Sequence, residues 1–220
     1  MTQPVVRSAE DMAELVEHWG FVPFFRNGVT GFSLSECTAP ELWFSKDLDG
    51  PWEWKGPVLR LTGGAYGKFF SSKVGFVSRD WFGDFANYRR DGYDFEGYYN
   101  DGLAAHKDKA VYDVLEQNGN LLARALKAQC GRPKGYEGIL TRLQMKTFVI
   151  TSNFEYAVDR FGREYGWGLA RLATPENYFG QDYMDEIYRR TPAESYQRIY
   201  DHLRALWPQA EDEAIRALLG

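Results

Sequence analysis

Arg142 and Lys146 stand four residues apart in a segment whose apolar residues, Ile139, Leu140 and Leu143, recur at helical spacing. That spacing puts both cations on one helical face and leaves the apolar residues to the other side. Cations so arranged reach phosphate oxygens or guanine edges; a solvated helix face carrying routine charge gives the same pattern. Arg132 and Lys134 precede the segment. Lys68 and Lys73 fall on one expected hairpin, and Arg160 and Arg163 on another. These eight residues form the candidate DNA-binding set. Phe69 and Phe70 are candidate apolar wedges, although only one of the two can point outward from a regular strand. Gln144 lies between the two helix cations.

A second group of chemistry-bearing residues mixes acids with rings. Asp80, Asp84, Asp91, Asp94, Glu96 and Asp101 are interleaved with Trp81, Tyr88, Tyr93, Tyr98 and Tyr99. Paired carboxylates beside rings suit glycosidic chemistry in a sugar or base pocket; aspartates in solvated turns explain the same composition. The three histidines, His18, His106 and His202, are far apart and lack partners at metal-binding spacing. Cys37 and Cys130 fit no metal pattern either, so neither a metal nor a cofactor is expected. Phosphate-cradling, dinucleotide and nucleophile-elbow motifs are missing from the chain.

Capping signals and periodicity define the elements that must position these groups. Ser8 opens a helix from Ala9 to a stop at Gly20. Thr38-Ala39-Pro40-Glu41 predicts a short helix carrying Leu42, Trp43 and Phe44. Trp52 to Lys55 opens a short helix or turn after Gly50-Pro51. Ala65–Phe70 and Val74–Ser78 form a hairpin around Ser71-Ser72-Lys73, and Ser78 caps a helix that ends near Gly92. The second half repeats the order. Helices cover Asp108–Gln117, a stretch capped by Asn120, and Tyr136–Lys146. Strands then run over Phe148–Val158 and Tyr165–Ala173. A helical tail begins at the capping box Thr191-Pro192-Ala193-Glu194.

The expected fold is α+β, with tandem winged-helix-like units of three helices plus a hairpin and a helical C-terminal tail. The expected division is 1–103 for the first unit with an aromatic and acidic linker, 104–180 for the second unit, and 181–220 for the tail. The three-helix-plus-hairpin units are expected at roughly 8–90 and 104–173, and a continuous sheet of five or more strands would contradict that reading. A faint echo supports the repeat: Tyr66-Gly67 against Tyr165-Gly166, and the stretch opened by Ser78 against that opened by Thr174.

Composition sets the compartment and the class. The 220 residues are 44 % apolar and 26 % charged, which excludes a mostly disordered chain. Two lone cysteines suit a reducing compartment. Met1-Thr2-Gln3-Pro4 lacks the pattern of a secretory leader, and no apolar run reaches the roughly 20 residues of a membrane span. A cytoplasmic protein with no membrane partner is expected. The net charge of −5 argues against a nonspecific polyanion binder. Residues 51–150 nevertheless hold 15 Lys and Arg against 11 Asp and Glu, so a basic face on an acidic protein is available.

Several blocks together carry a family resemblance: Gly50-Pro51-Trp52-Glu53-Trp54-Lys55-Gly56-Pro57, Tyr66-Gly67-Lys68, Phe76-Val77-Ser78, Asp84 to Asp94, Arg142-Leu143-Gln144-Met145 and Tyr165-Gly166-Trp167-Gly168. Spread over residues 50–180, they resemble a group of bacterial proteins, the AlkZ-related family. That resemblance implies distant similarity to winged-helix DNA glycosylases, which excise alkylated or crosslinked bases, and hence duplex DNA as partner and a link to DNA repair. Those enzymes use a Gln-x-Gln or Gln-x-Asp pair to position water and stabilise the sugar cation. Gln144 matches the first position, which makes it the candidate catalytic residue that the resemblance implies, but Lys146 occupies the third. A cation there opposes the developing positive charge by ~1 kcal/mol at 4 Å in water and by about 4 kcal/mol near a protein surface. The expectation is a winged-helix nucleic-acid-binding protein related to repair glycosylases but lacking the Gln-pair mechanism. Two alternatives stay open: a non-catalytic module that binds a protein partner or small ligand through its aromatic surface, and an enzyme of another class built on the Asp/Tyr-rich middle.

Overall fold

The computed structural model describes residues 4–45 and 47–220; Met1, Thr2 and Gln3, which carry the leader reading, lie outside them. Ser8 Oγ accepts a hydrogen bond from the Asp11 N–H, satisfying one free donor at the start of α1 (Ala9–Trp19). β1 (Phe21–Pro23), α2 (Leu34–Cys37), a 3-10 turn over Pro40–Leu42 and α3 (Pro51–Thr62) follow. β2 (Ala65–Phe70) and β3 (Lys73–Val77) close the first half as a hairpin. Its turn residues, Ser71 and Ser72, have φ of 49° and 65°. Two left-handed residues in succession match a two-residue turn to the twist of its strands.

α4 (Arg79–Arg90) and α5 (Phe95–Asn100) lead to the second half, which repeats the order of the first. It comprises α6 (His106–Asn118), β4 (Asn120–Leu122), α7 (Ala123–Gln129), α8 (Tyr136–Met145), β5 (Ile150–Val158) and β6 (Glu164–Ala173). The tail holds α9 (Pro175–Phe179), α10 (Gln181–Glu186), a 3-10 turn over Ile187–Arg189, α11 (Pro192–Leu206) and α12 (Asp212–Leu219).

All six strands join one antiparallel sheet in the order β1-β3-β2-β5-β6-β4, so the fold is α+β. This corrects the expectation of two units with separate hairpins. The continuity rests on a narrow join, Tyr66 of β2 opposite Thr151 of β5. Each is the second residue of the strand that opens its hairpin, so the halves meet at equivalent points on antiparallel edges. β1 and β4, three residues each and too short for an alternating pattern, were not anticipated. Asn120 therefore starts a strand paired with Ala173, rather than capping a helix. The expected helix at Leu42–Phe44 is replaced by the shorter 3-10 turn, because Thr38 bridges to Val6 in extended conformation.

Two apolar clusters fill the molecule. One lies within the second half and includes Phe95, Val111, Leu115, Leu126, Ile139, Leu143 and Phe148. The other joins the first half to the tail through Ile199, Leu203, Ile215 and Leu218, and takes in Ile150 and Phe154 from β5. Arg90 ties both together. Fully buried, its guanidinium donates to the Thr147 carbonyl at 2.9 Å and to Glu176 at 2.7 Å, and lies over the Phe148 ring. Burial opposes its charge, but Glu176 and Tyr188 outweigh that and hold its pKa above the usual arginine value.

The halves also interlock through α3. This helix, expected only as a short helix or turn opened by Trp52 to Lys55, runs on through Gly56-Pro57 to Thr62. Proline has no N–H, so the Glu53 carbonyl one turn earlier loses its helical donor. The Tyr156 hydroxyl of β5 takes that place, donating to Glu53 O at 2.8 Å while accepting from the Gly56 N–H at 2.9 Å. A Cβ at position 56 would stand 2.5 Å from the Tyr156 ring, so glycine is required for the close approach. Tyr156→Phe should strand the Glu53 carbonyl and cost about 1–3 kcal/mol, or roughly 2–12 °C in Tm at this chain length. Gly56→Ala should cost at least as much. Thermal unfolding followed by circular dichroism checks both, and an unchanged Tm in either variant would remove the interlock from the stability account.

Candidate nucleic-acid interface

Each half offers its third helix, α3 or α8, as a candidate reading element, and each is partly covered by the opposite hairpin. α3 packs against β5 and β6 through the Tyr156 notch and through the Lys55 ammonium, which lies 4.4 Å from the centroid of Phe154 and 5.2 Å from that of Trp52. Burial pushes the Lys55 amine down to about 8, against the pull of Glu53. α8 packs against β2. Gln144 Oε1 accepts from the Lys68 N–H at 3.2 Å, and Lys68 Nζ donates to Thr141 Oγ1 at 3.0 Å.

Gln144 is therefore only 4 % exposed and bonded to backbone at the seam between the halves. Arg142 points away from the seam with its guanidinium exposed, but Asp108 of α6 holds it through two contacts of 2.6 and 3.3 Å. The hydrogen bond to Asp108 raises its pKa above the usual arginine value. Lys146 ends α8 with its Nζ 5.8 Å from the Tyr98 ring centroid. Burial and then the Arg89 charge lower its pKa, with Asp91 opposing. No carboxylate lies within ion-pair distance of Lys146, Lys68 or Lys73 among the described residues. The Ser72 hydroxyl reaches the Met145 sulfur at 3.1 Å, which brings the β2–β3 turn and Lys73 against the end of α8. Lys68, Lys73 and Lys146 thus gather at one end of the sheet.

The other candidate cations lie elsewhere. β2 and β5 run in opposite directions from their join, so their hairpin turns diverge to opposite ends of the sheet. At about 3.3 Å per residue, the turns at Ser71 and Arg160 lie roughly 45 Å apart along straight strands. Arg160 and Arg163 are at that far end, beside the Arg60–Glu164 ion pair. Arg132 and Lys134 occupy the exposed turn between α7 and α8, where Arg132 has a left-handed φ of 52°. The eight cations do not converge on one face. Of the two wedge candidates, both Phe69 and Phe70 are buried.

The acidic middle serves local structure. Asp84 accepts from the Ser195 hydroxyl at 2.8 Å and from Arg198 at 2.9 Å. Asp94 caps α5 through the Gly97 N–H, and Asp91 ends α4 in left-handed conformation. Glu96 pairs with Lys109, Asp101 accepts from the Tyr93 hydroxyl, and Asp80 is exposed. A cleft of about 940 Å³ opens between α1 and the α11–α12 turn. Its carboxylates, Asp11, Glu14 and Glu211, repel phosphate. Among the described residues no group of three side chains could hold a metal ion, and no helix is long and apolar enough to cross a membrane.

Sequence reasoning missed Tyr156, Lys55 and Trp167. The first two were signalled by Gly56-Pro57 inside an amphipathic stretch, and Trp167 by its alternation with glycine over 165–168. A family model described as AlkZ related matches residues 6–220, nearly the whole chain. No curated protein and no solved structure matches it. The chain belongs to the AlkZ-related family, a relation that points toward DNA glycosylase-like proteins and DNA repair.

Proposed function

We propose that the chain is a tandem winged-helix protein that binds duplex DNA and lacks Gln-pair excision chemistry. The observation that carries this reading is the repeated order of elements. Each half runs helix, strand, two helices, then a hairpin, and its short first strand pairs with the last strand of that hairpin, giving β1-β3-β2 and β4-β6-β5. That order belongs to a helix-turn-helix elaborated with a wing. The segments 1–103, 104–180 and 181–220 are proposed as two winged-helix-like halves that share one sheet and a tail that shares the main core, so they are not separate domains. Two cysteines far apart in the chain, Cys37 and Cys130, suit the reducing cytoplasm in which we place it.

Because the opposite hairpin covers part of each third helix, DNA contact falls to the seam end of the sheet. Lys68, Lys73 and Lys146 supply unpaired charge there, and duplex phosphates are the matching partner. Arg142 contributes less, since engaging a phosphate would mean leaving Asp108. Equilibrium binding to a duplex over a series of salt concentrations tests this. Lys73→Ala and Lys146→Ala should each remove about 0.9 from the log–log slope, with a smaller change in Arg142→Ala. Unchanged slopes in both lysine variants would contradict the proposed contact surface.

Gln144 is read as a structural acceptor for the Lys68 N–H. With Lys146 at the third position, a charged amine can neither accept a hydrogen bond from water nor favour an oxocarbenium ion. Single-turnover excision on duplexes carrying N3- or N7-alkylpurines should proceed no faster with the protein than without it. Excision by the parent that vanishes in a folded Gln144→Glu variant, which keeps the acceptor and loses the amide, would make Gln144 catalytic.

A further inference from the structure

Four large aromatic residues are strongly exposed among the described residues, Phe44, Phe161, Tyr165 and Trp167, and three of these fall within seven residues on the β5–β6 hairpin. Trp167 is 71 %, Phe161 69 % and Tyr165 58 % exposed, with Val158 and Leu169 beside them. The cause is visible in the strand. A Cβ on Gly168 would press on Phe154 and Tyr156, so Gly168 faces the core side. Trp167 and Leu169, its neighbours in an extended strand, then face the opposite side. Among the described residues that face stays open, as the exposure of Trp167 and Leu169 shows; separately, β4 pairs only with Arg171–Ala173 and leaves Glu164–Ala170 without a neighbouring strand on that edge.

The hairpin carries three acids and three arginines, but their engagement differs. Glu155 is held by Arg171 at 2.9 Å and Glu164 by Arg60 at 2.8 Å. Asp159 accepts from the N–H groups of Phe161 and Arg163 and closes the turn. Arg160 and Arg163 have no ion-pair partner among the described residues, and the Arg160 guanidinium lies over the Phe161 ring. Each acid is occupied internally while two cations remain free beside exposed rings. A protein surface seeking this face would need acids between apolar groups; a nucleic-acid strand supplies phosphates between flat bases.

We propose that the outer face of the β5–β6 hairpin is a stacking platform for unpaired nucleotides, with Trp167 as the principal ring and Arg160 and Arg163 on the flanking phosphates. This rests on the nucleic-acid reading and adds a substrate class to it: DNA with a single-stranded or opened segment. Aromatic stacking accepts any base and needs no groove. The platform lies at the far end of the sheet from Lys68, Lys73 and Lys146, so one DNA molecule can meet duplex contacts and unpaired bases at separate places.

Anisotropy titrations compare an intact duplex with the same duplex carrying a single-stranded gap of about eight nucleotides, within the usual footprint of such platforms. The parent should favour the gapped duplex about tenfold, the order of one stacked base. Trp167→Ala should lose that preference with intact-duplex affinity unchanged, and Trp167→Phe should keep most of it. Equal affinity for the two duplexes, or a preference that survives Trp167→Ala, would overturn the platform. Binding of gapped but not intact DNA would overturn the duplex reading and leave the platform standing, whereas no binding to either would remove both. A dimer abolished by Trp167→Ala in sedimentation velocity would instead assign this face to a second copy of the chain.

Discussion

The Tyr156 hydroxyl is the interaction on which the arrangement depends. It fills a vacancy that Pro57 creates in α3, and it reaches that vacancy because Gly56 carries no side chain. A helix interrupted by Gly-Pro is poor on its own, since proline removes a hydrogen bond and glycine raises the entropic cost. A tyrosine from the other half repairs the first defect and exploits the second. The result is specific docking by a polar contact, where apolar packing alone would permit sliding. On the other side of the sheet join, Gln144 and Lys68 do comparable work between α8 and β2. Each half thus inserts its hairpin region against the third helix of the other.

That reciprocity has an electrostatic consequence. Antiparallel joining at Tyr66 and Thr151 sends the two hairpin turns in opposite directions, so cations placed equivalently in the halves end far apart. A protein with a net charge of −5 then presents two separate groups of cations without ion-pair partners among the described residues, instead of one broad basic face. The first sits where α8 meets the β2–β3 turn and is poor in rings. The second sits on the β5–β6 hairpin and is rich in them. Under the proposed reading, duplex phosphates match the former and splayed bases the latter, and the two ends of one sheet would take different tasks.

Much of the fold was legible in the sequence where local signals and tertiary outcome agree. Ser8, the Thr191–Glu194 capping box and the Ser71-Ser72 turn each act locally, and the elements they bound stand where expected. β1 and β4 were not legible, because three residues carry no alternation and their pairing partners lie 49 to 56 positions away. The internal echo was half right. Ser78 and Thr174 both follow the last strand of their half and precede a helix, whereas Tyr66 and Tyr165 lie on non-equivalent strands. Helical spacing grouped Arg142 with Lys146, but spacing carries no information about Asp108, 34 residues away, which holds Arg142. Candidate sites read from charge alone fail in this way. The neighbours that neutralise a cation come from elsewhere in the chain.

The central claim is that DNA contacts the seam end of the sheet and leaves the acidic cleft between α1 and the α11–α12 turn untouched. Hydrogen–deuterium exchange with and without saturating duplex DNA measures this directly. The account predicts added protection in the β2–β3 turn and the C-terminal end of α8, with the segments lining the acidic cleft unchanged. Protection concentrated at that cleft, or none at the seam under saturation, would contradict it.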